Sequence, residues 1–464
     1  MLVDELDAQG AVYTPPRPAP MGPLASLIRV IRQGDGDLLS LMPADAYLLP
    51  MGPLGYSRRS IQIVNDPALT KPILADPEDI FPKNDLMVGA LTPLVGDSMF
   101  VSSGSLWRQQ RRMIDPAFSH IRLAKAFPSM VGALDDFEAR LQGAAKSGQK
   151  MSLDLAMGQL TADIICRTVF SASLANDTAR DVFESFAFFE RSVAHVELVR
   201  LIFGKPFDNI PQRGDVLEAC ARIRGHIGRL LDTHLEAGAT FDDIAAAVIA
   251  ARDLETDTRF TREELIDQLG VFFLAGHETT ASALTWAFFI AAMQPPVADK
   301  VHAEAMAVAG SGPVEFDHVK RLTYARNVFK EALRLYPPIT FIPRVAARST
   351  TIGTKHIKRG TMVMIAPWAV HRHQALWPNP DVFDPDRFLP EREHEIVAGS
   401  YIPFGAGPRV CVGAAFATTE ATLILARILR TYRFEVQQPE HVRPVARLTT
   451  RPAQEVMIKV SVRA

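Results

Sequence analysis

Cys411 is the residue in this sequence best equipped for chemistry. It lies near the end of Phe404-Gly405-Ala406-Gly407-Pro408-Arg409-Val410-Cys411-Val412-Gly413, a glycine-rich loop that leads into a helix-like pattern. Backbone N–H groups at a helix start favour a thiolate and lower its pKa, and Arg409 adds positive charge nearby. Gly407 and Gly413 let the backbone come close to a flat ligand, and Phe404 can shield the sulfur from water. Such a thiolate could serve as a nucleophile or as a metal ligand. A nucleophile needs a general base beside it, and no histidine lies near Cys411 in sequence, although folding could bring one.

Three other sets of residues carry chemical potential. Ala275-Gly276-His277-Glu278-Thr279-Thr280 places a glycine, a carboxylate and two threonines inside an otherwise apolar helical stretch. The glycine and the adjacent threonines are locally unfavourable there, and broken local rules often mark function. Glu331 and Arg334 are three apart and share a helical face, so they can pair. Trp107 and Arg111 are four apart and also share a face. A basic run such as Arg108 to Arg112 is by default a solvated surface.

The elements that must position these residues are mostly helical. Apolar spacing of three and four predicts helices over 153–172, 213–236, 262–294, 322–336 and 413–431. Pro206, Pro211, Pro295-Pro296 and Pro337-Pro338 punctuate them. Between 341 and 370 runs such as Thr361-Met362-Val363-Met364-Ile365 predict strands, with turns at Gly353 and Gly360. Weak alternation over 447–462 predicts a terminal hairpin. The fold class is therefore mainly α with a smaller β region. No internal repeat is evident.

Composition narrows the function classes. A hydrophobic share of 48% over 464 residues supports a large core. The net charge of −2 argues against nucleic acid as the main partner. Three cysteines make a poor disulfide framework and suit a reducing compartment, with Cys166 and Cys220 read as buried apolar residues. Residues 1–14 lack the apolar run of a signal or anchor, so a cytoplasmic setting is expected. Residues 1–20, with Pro15-Pro16-Arg17-Pro18-Ala19-Pro20, are read as a Pro-rich, flexible lead-in to one domain over 21–464. Residues 269–293 are apolar enough to span a bilayer, but His277 and Glu278 sit mid-way, and a central charge costs about 2.5–3.5 kcal/mol on insertion scales. A buried central helix is expected instead.

The pattern Phe-x-x-Gly-x-Arg-x-Cys-x-Gly resembles the haem-binding loop of cytochromes P450 at every fixed position, and the other motifs follow in that family's order. The resemblance implies the P450 fold, with haem between the long central helix and the helix after the cysteine loop. It implies haem b with Cys411 as axial thiolate; a thiolate ligand favours O–O cleavage. Phe404, Gly405, Arg409 and Gly413 would belong to the haem loop. Trp107, Arg111, Arg344 and Arg409 match propionate-holding positions. Glu278 and Thr279 match the oxygen-activating acid–alcohol pair, with Thr279 steadying dioxygen and Glu278 relaying protons; the plainer alternative for Glu278 is a salt bridge. Glu331, Arg334 and Arg387 match a structural network. Aligned by motif, Leu91, Phe100, Phe272, Ala275, Ile339 and Phe341 fall over the distal haem face. His277 lies one step off that face and is read as structural. Pro408 fills a variable place in the loop, and Asp386 replaces the commoner glutamate before Arg387.

By resemblance, the chain is expected to be a monomeric monooxygenase that hydroxylates an apolar small molecule, lipid-like, terpenoid or aromatic, with O2. Ala275–Thr280 and Leu376-Trp377-Pro378-Asn379-Pro380 lean towards fatty-acid-hydroxylase-like members. With no flavin or iron–sulfur module after the haem region, electrons are expected from a ferredoxin or flavodoxin with its reductase, docking on Arg108, Arg112 and Lys125. The competing readings are a peroxygenase or hydroperoxide isomerase or lyase on the same haem, and a non-catalytic haem sensor. Neither requires the acid–alcohol pair.

Overall fold

The computed structural model describes residues 13–22, 37–54, 61–83, 85–175 and 213–463, with part of 25–29 and 180–189. Pro206, Pro211 and residues 1–12 of the lead-in lie outside the described residues. The longer helices are α1 (Pro67–Ala75), α2 (Asp85–Val95), α3 (Gly104–Ile114), α4 (His120–Ser147), α5 (Leu153–Phe170), α6 (Gly214–Ala237), α7 (Ile244–Ile249), α8 (Arg262–Met293), α9 (Pro295–Ala309), α10 (Thr323–Leu335) and α11 (Ala414–Thr431). The helices expected over 153–172, 213–236, 262–294, 322–336 and 413–431 are therefore present with near-identical bounds.

α8 is the spine of the fold. Thr261 caps its start: the Thr261 side chain accepts from the Glu264 N–H, and the Glu264 side chain accepts from the Thr261 N–H. Pro295 and Pro296 stop it, and the chain turns by 108° into α9. Most residues between Leu265 and Ala291 are buried, as an all-round apolar helix in a large core requires. Among the described residues no single helix is long and apolar enough to cross a membrane. α5 packs closely along α8. A Cβ on Gly276 would lie 2.4 Å from Ile165 Cδ1, so any other residue there would have to displace the Ile165 side chain.

The β region is split among small sheets. Its main sheet has the order β1 (Met51–Pro53), β2 (Ile61–Val64), β7 (Met362–Ile365), β4 (Ile342–Val345), with β2 and β7 parallel. β5 (Thr350–Ile352) and β6 (Lys355–Ile357) form a hairpin about Gly353. β3 (Met151–Ser152), β11 (Met457–Val462) and β8 (Tyr432–Val436) form a second sheet, and β9 (Pro444–Ala446) pairs with β10 (Thr450–Pro452). The expected hairpin over 447–462 is thus corrected. Both strands exist, but β10 pairs with β9, while β11 pairs with β8 and β3. Alternation identifies a strand without identifying its neighbour.

The lead-in is also corrected over residues 13–20. The Phe383 N–H donates to Tyr13 O (3.2 Å), Tyr336 Oη donates to Pro16 O (2.6 Å), and Arg17 pairs with Asp381 at 2.7 Å. This stretch is fastened to the domain.

Candidate active site

A cavity of about 320 Å³ lies between α8 and the loop 403–413. Phe272, Ala275, Gly276, Glu278 and Thr279 line it from α8, and Phe404, Gly405, Arg409, Cys411 and Gly413 line it from the loop. Trp107 and Arg111 reach it from α3, Arg344 from β4, Leu91 from α2, and Phe100, Ile339 and Phe341 from connecting segments. Every expected catalytic, cofactor and pocket residue therefore borders one space.

The cysteine loop is built by backbone bonds. The Cys411 N–H donates to Phe404 O (2.9 Å) and the Gly405 N–H to Ile402 O (3.0 Å). Arg111 Nη1 donates to Val410 O (2.7 Å), fastening the loop to α3. Gly407 has a φ of +73°, and a Cβ there would meet Leu74 O at 2.5 Å, so no other residue fits. The Cys411 side chain opens onto the cavity. Burial pushes its thiol up, against the Gly413 N–H and Arg111, which pull it down. The expected lowering by the helix start is present, through the Gly413 N–H at the cap of α11, but burial outweighs it. A coordinating thiol is deprotonated outright by the metal it binds.

The cavity's cationic edge tests what the site can hold. Burial, followed by Arg409 and Arg344, pushes Lys83 well below the usual lysine range. Burial holds Arg344 down to about 10, and burial followed by Arg344 holds Arg409 down to about 10. Lys83 Nζ sits 4.7 Å over the Phe100 ring, and the Arg409 guanidinium sits 4.2 Å over the Trp107 ring. Three cations thus meet on apolar surroundings and raise one another's cost. A ligand carrying carboxylates on one edge, as haem does, would relieve it. Open sulfur on one wall, glycines at close approach and cations at an edge fit haem. Lys83 was not found from the sequence. It is brought in because segment 80–83 adds to β4, with the Val345 N–H donating to Pro82 O (3.1 Å), and no local spacing signals that pairing.

On α8, Thr279 Oγ1 donates to Ala275 O, four residues back, at 2.6 Å. His277 points away: its Nδ1 lies 2.9 Å from Phe273 O, and Phe186 and Phe273 surround its ring. This agrees with a structural reading. Glu278 is buried, accepts a 2.5 Å hydrogen bond from Thr449 Oγ1 and is ion-paired with Arg451. Neither partner was anticipated.

Behind the loop, Glu331 receives both forks of Arg334 at 2.7 Å and Arg387 Nε at 3.2 Å. Arg334 and Arg387 donate onward to His371 O, Pro380 O, Val382 O, Pro378 O and Asn379 O. The expected trio is thus one buried, satisfied network. The surface residues Arg108, Arg112 and Lys125 pair with Asp79, with Asp253 and Glu255, and with Asp242.

Comparison with known proteins agrees with this geometry. The family model described as Cytochrome P450 matches residues 45–460. The chain is 32% identical to cyclooctatin synthase of Streptomyces melanosporofaciens over 92% of this chain and 91% of that one. It is 32% identical to cyclooctat-9-en-7-ol 5-monooxygenase of the same organism over 85% of this chain and 84% of that one. Pentalenene oxygenase of Streptomyces avermitilis is 26% identical over 86% of this chain and 87% of its own. In fold, the haem domain of cytochrome P450DA superposes with a TM-score of 0.80 at 24% identity, covering 98% of each chain.

Proposed function

Since this chain belongs to the cytochrome P450 family and is a monooxygenase of it, we propose that it hydroxylates a compact terpenoid, with Cys411 holding the iron of haem b and electrons from a separate ferredoxin or flavodoxin. The carrying observation is the apolar cavity that Cys411 and Thr279 share. Relatives named for oxygenating cyclooctat-9-en-7-ol and pentalenene support the terpenoid class over the fatty-acid lean of the motifs.

Each part of the site has a task. Lys83, Arg111, Arg344 and Arg409, with Trp107, would hold the cofactor's carboxylates; Cys411 would hold its iron. Bound there, haem supplies the activation of dioxygen, and its thiolate ligand favours O–O cleavage. Leu91, Phe100, Phe272, Ala275, Ile339 and Phe341 would seat a hydrocarbon and exclude water, since apolar walls select apolar ligands. Thr279 would orient the oxygen substrate from α8, and Glu278 would bring protons to the cavity.

The test is optical. The haem-loaded protein, reduced with dithionite and exposed to carbon monoxide, should show the far-red-shifted Soret band of a thiolate ligand, and C411S should lose it. Cyclooctat-9-en-7-ol and pentalenene should shift the spin state more than a straight-chain fatty acid. A histidine-like Soret band would remove the thiolate reading, and a preference for the fatty acid would remove the terpenoid one.

A further inference from the structure

We propose that Arg451, Glu278 and Thr449 form a proton entry from solvent to the cavity, in which Arg451 is the outer latch and Thr449 the inner hydroxyl. The inference rests on the reading of Glu278 as the proton-bringing acid and goes beyond it by naming the path.

The geometry carries it. The Glu278 side chain is only 4% exposed, and its carboxylate is bound on two sides. Arg451, 45% exposed, pairs with it from the solvent side. Thr449, buried and lining the cavity, donates to its Oε1 at 2.5 Å. Thr279 instead gives its hydroxyl to Ala275 O. Glu278 and Thr449 both border the cavity, and the hydroxyl bonded to the carboxylate there is that of Thr449.

The intervening residue holds both partners in place. Thr450 Oγ1 donates to Pro337 O (2.6 Å) and its N–H to Pro338 O (3.0 Å). Thr450 O accepts from Ser282 Oγ (2.6 Å) and Trp286 Nε1 (3.0 Å), both on α8. Pinned at its centre, the segment presents its two neighbours to the same carboxylate.

A guanidinium beside a carboxylate favours the ionised form, so Glu278 cannot donate a proton while Arg451 holds it. Arg451 is exposed enough to swing outward. Glu278 then takes one proton from solvent hydronium. It passes that proton to Thr449 Oγ1 as the hydroxyl gives its own to the acceptor oxygen in the cavity. Glu278 returns to carboxylate and Arg451 closes again. The hydroxyl is both donor and acceptor, and its hydrogen rotates to suit. The other ionisable residues lining the cavity are Lys83, Arg111, Arg344, Arg409 and Cys411. His277, next to Glu278, lies among Phe183, Phe186 and Phe273.

Two measurements test this on the haem-loaded protein, compared at equal haem content. In infrared pH titrations the carboxylic-acid band that E278Q removes should persist about one to three pH units higher in R451Q than in wild type, and R451K should restore the wild-type curve. With a surrogate plant ferredoxin and its reductase, and dioxygen as sole acceptor, T449V should divert electrons from water to hydrogen peroxide several-fold, as E278Q does. An unshifted band in R451Q would overturn the latch. Wild-type partition in T449V alongside uncoupled E278Q would overturn the path while leaving the Glu278 reading intact. Wild-type partition in E278Q itself would remove that reading and this inference together.

Discussion

His371 accepts the backbone N–H of Ile402 on Nε2 at 2.9 Å, while its Nδ1 lies 3.1 Å from Arg334 O. One buried imidazole thus joins the Glu331–Arg334–Arg387 network to the start of the cysteine loop. The bonds require the neutral tautomer with its proton on Nδ1. Burial, then Arg334, pushes His371 down to about 3, which keeps it neutral.

That tautomer predicts a pH dependence. A histidine whose folded pKa lies below its unfolded value of about 6.5 binds its proton better when unfolded. Its neutral form contributes fully above about pH 6.5, and stability falls as pH drops from there towards 3. H371F should flatten the urea midpoint between pH 7 and 4.5, leave the Ile402 N–H unsatisfied at a cost of about 1–3 kcal/mol at neutral pH, and loosen haem. An unchanged slope in H371F would mean that another group carries the acid limb.

The trio that His371 extends was legible in sequence because each member lies in a recognisable local pattern. Removing Glu331 from this buried network should cost about 3–5 kcal/mol. His371, Lys83, Thr449 and Arg451 were not legible. They reach the site through contacts far along the chain: Thr449 meets Glu278 across 171 positions. Helix bounds could be read because proline and threonine stop and cap them locally. The partner of β11 could not be, because strand pairing is set by the fold, not by alternation.

Gly276 shows how tightly α5 is set against α8. G276A would put a Cβ 2.4 Å from Ile165 Cδ1. Overpacking of this kind costs about 1–3 kcal/mol. Ile165 also lines the cavity, so its displacement should weaken the spin-state response to pentalenene. I165V should recover much of the thermal stability of G276A by removing the obstructing methyl. Failure of that double variant to recover would place the strain elsewhere.

The cationic edge predicts opposite effects with and without haem. In the haem-free protein K83M removes a charge that burial and Arg409 and Arg344 disfavour, so thermal stability should rise. In the haem-loaded protein the same change removes a charge-assisted bond worth about 1.5–3 kcal/mol. Haem loss to excess apomyoglobin should then accelerate about ten- to hundredfold. A change of the same sign in both forms would show that Lys83 does not meet the cofactor.

The surface cations predict where an acidic electron carrier gains most. Arg112 faces two carboxylates, Asp253 and Glu255, whereas Arg122 and Lys125 share the single carboxylate of Asp242. The three basic residues expected to form a docking patch are therefore unequal: Arg112 is over-compensated, Arg108 is balanced by Asp79, and only the Lys125 corner keeps surplus positive charge. Steering depends on such net local charge and is screened by salt. K125E should slow reduction by a plant-type ferredoxin at low ionic strength several-fold, with the difference shrinking at 0.5 M salt, the Debye length there being roughly 4–5 Å. R112E should slow it less. The Asp253 partner of Arg112 is buried, so R112E also puts stability at risk, and the two variants are compared once their thermal melts match wild type. Equal slowing by the two variants would mean that the carrier reads these side chains individually, after their pairs have opened.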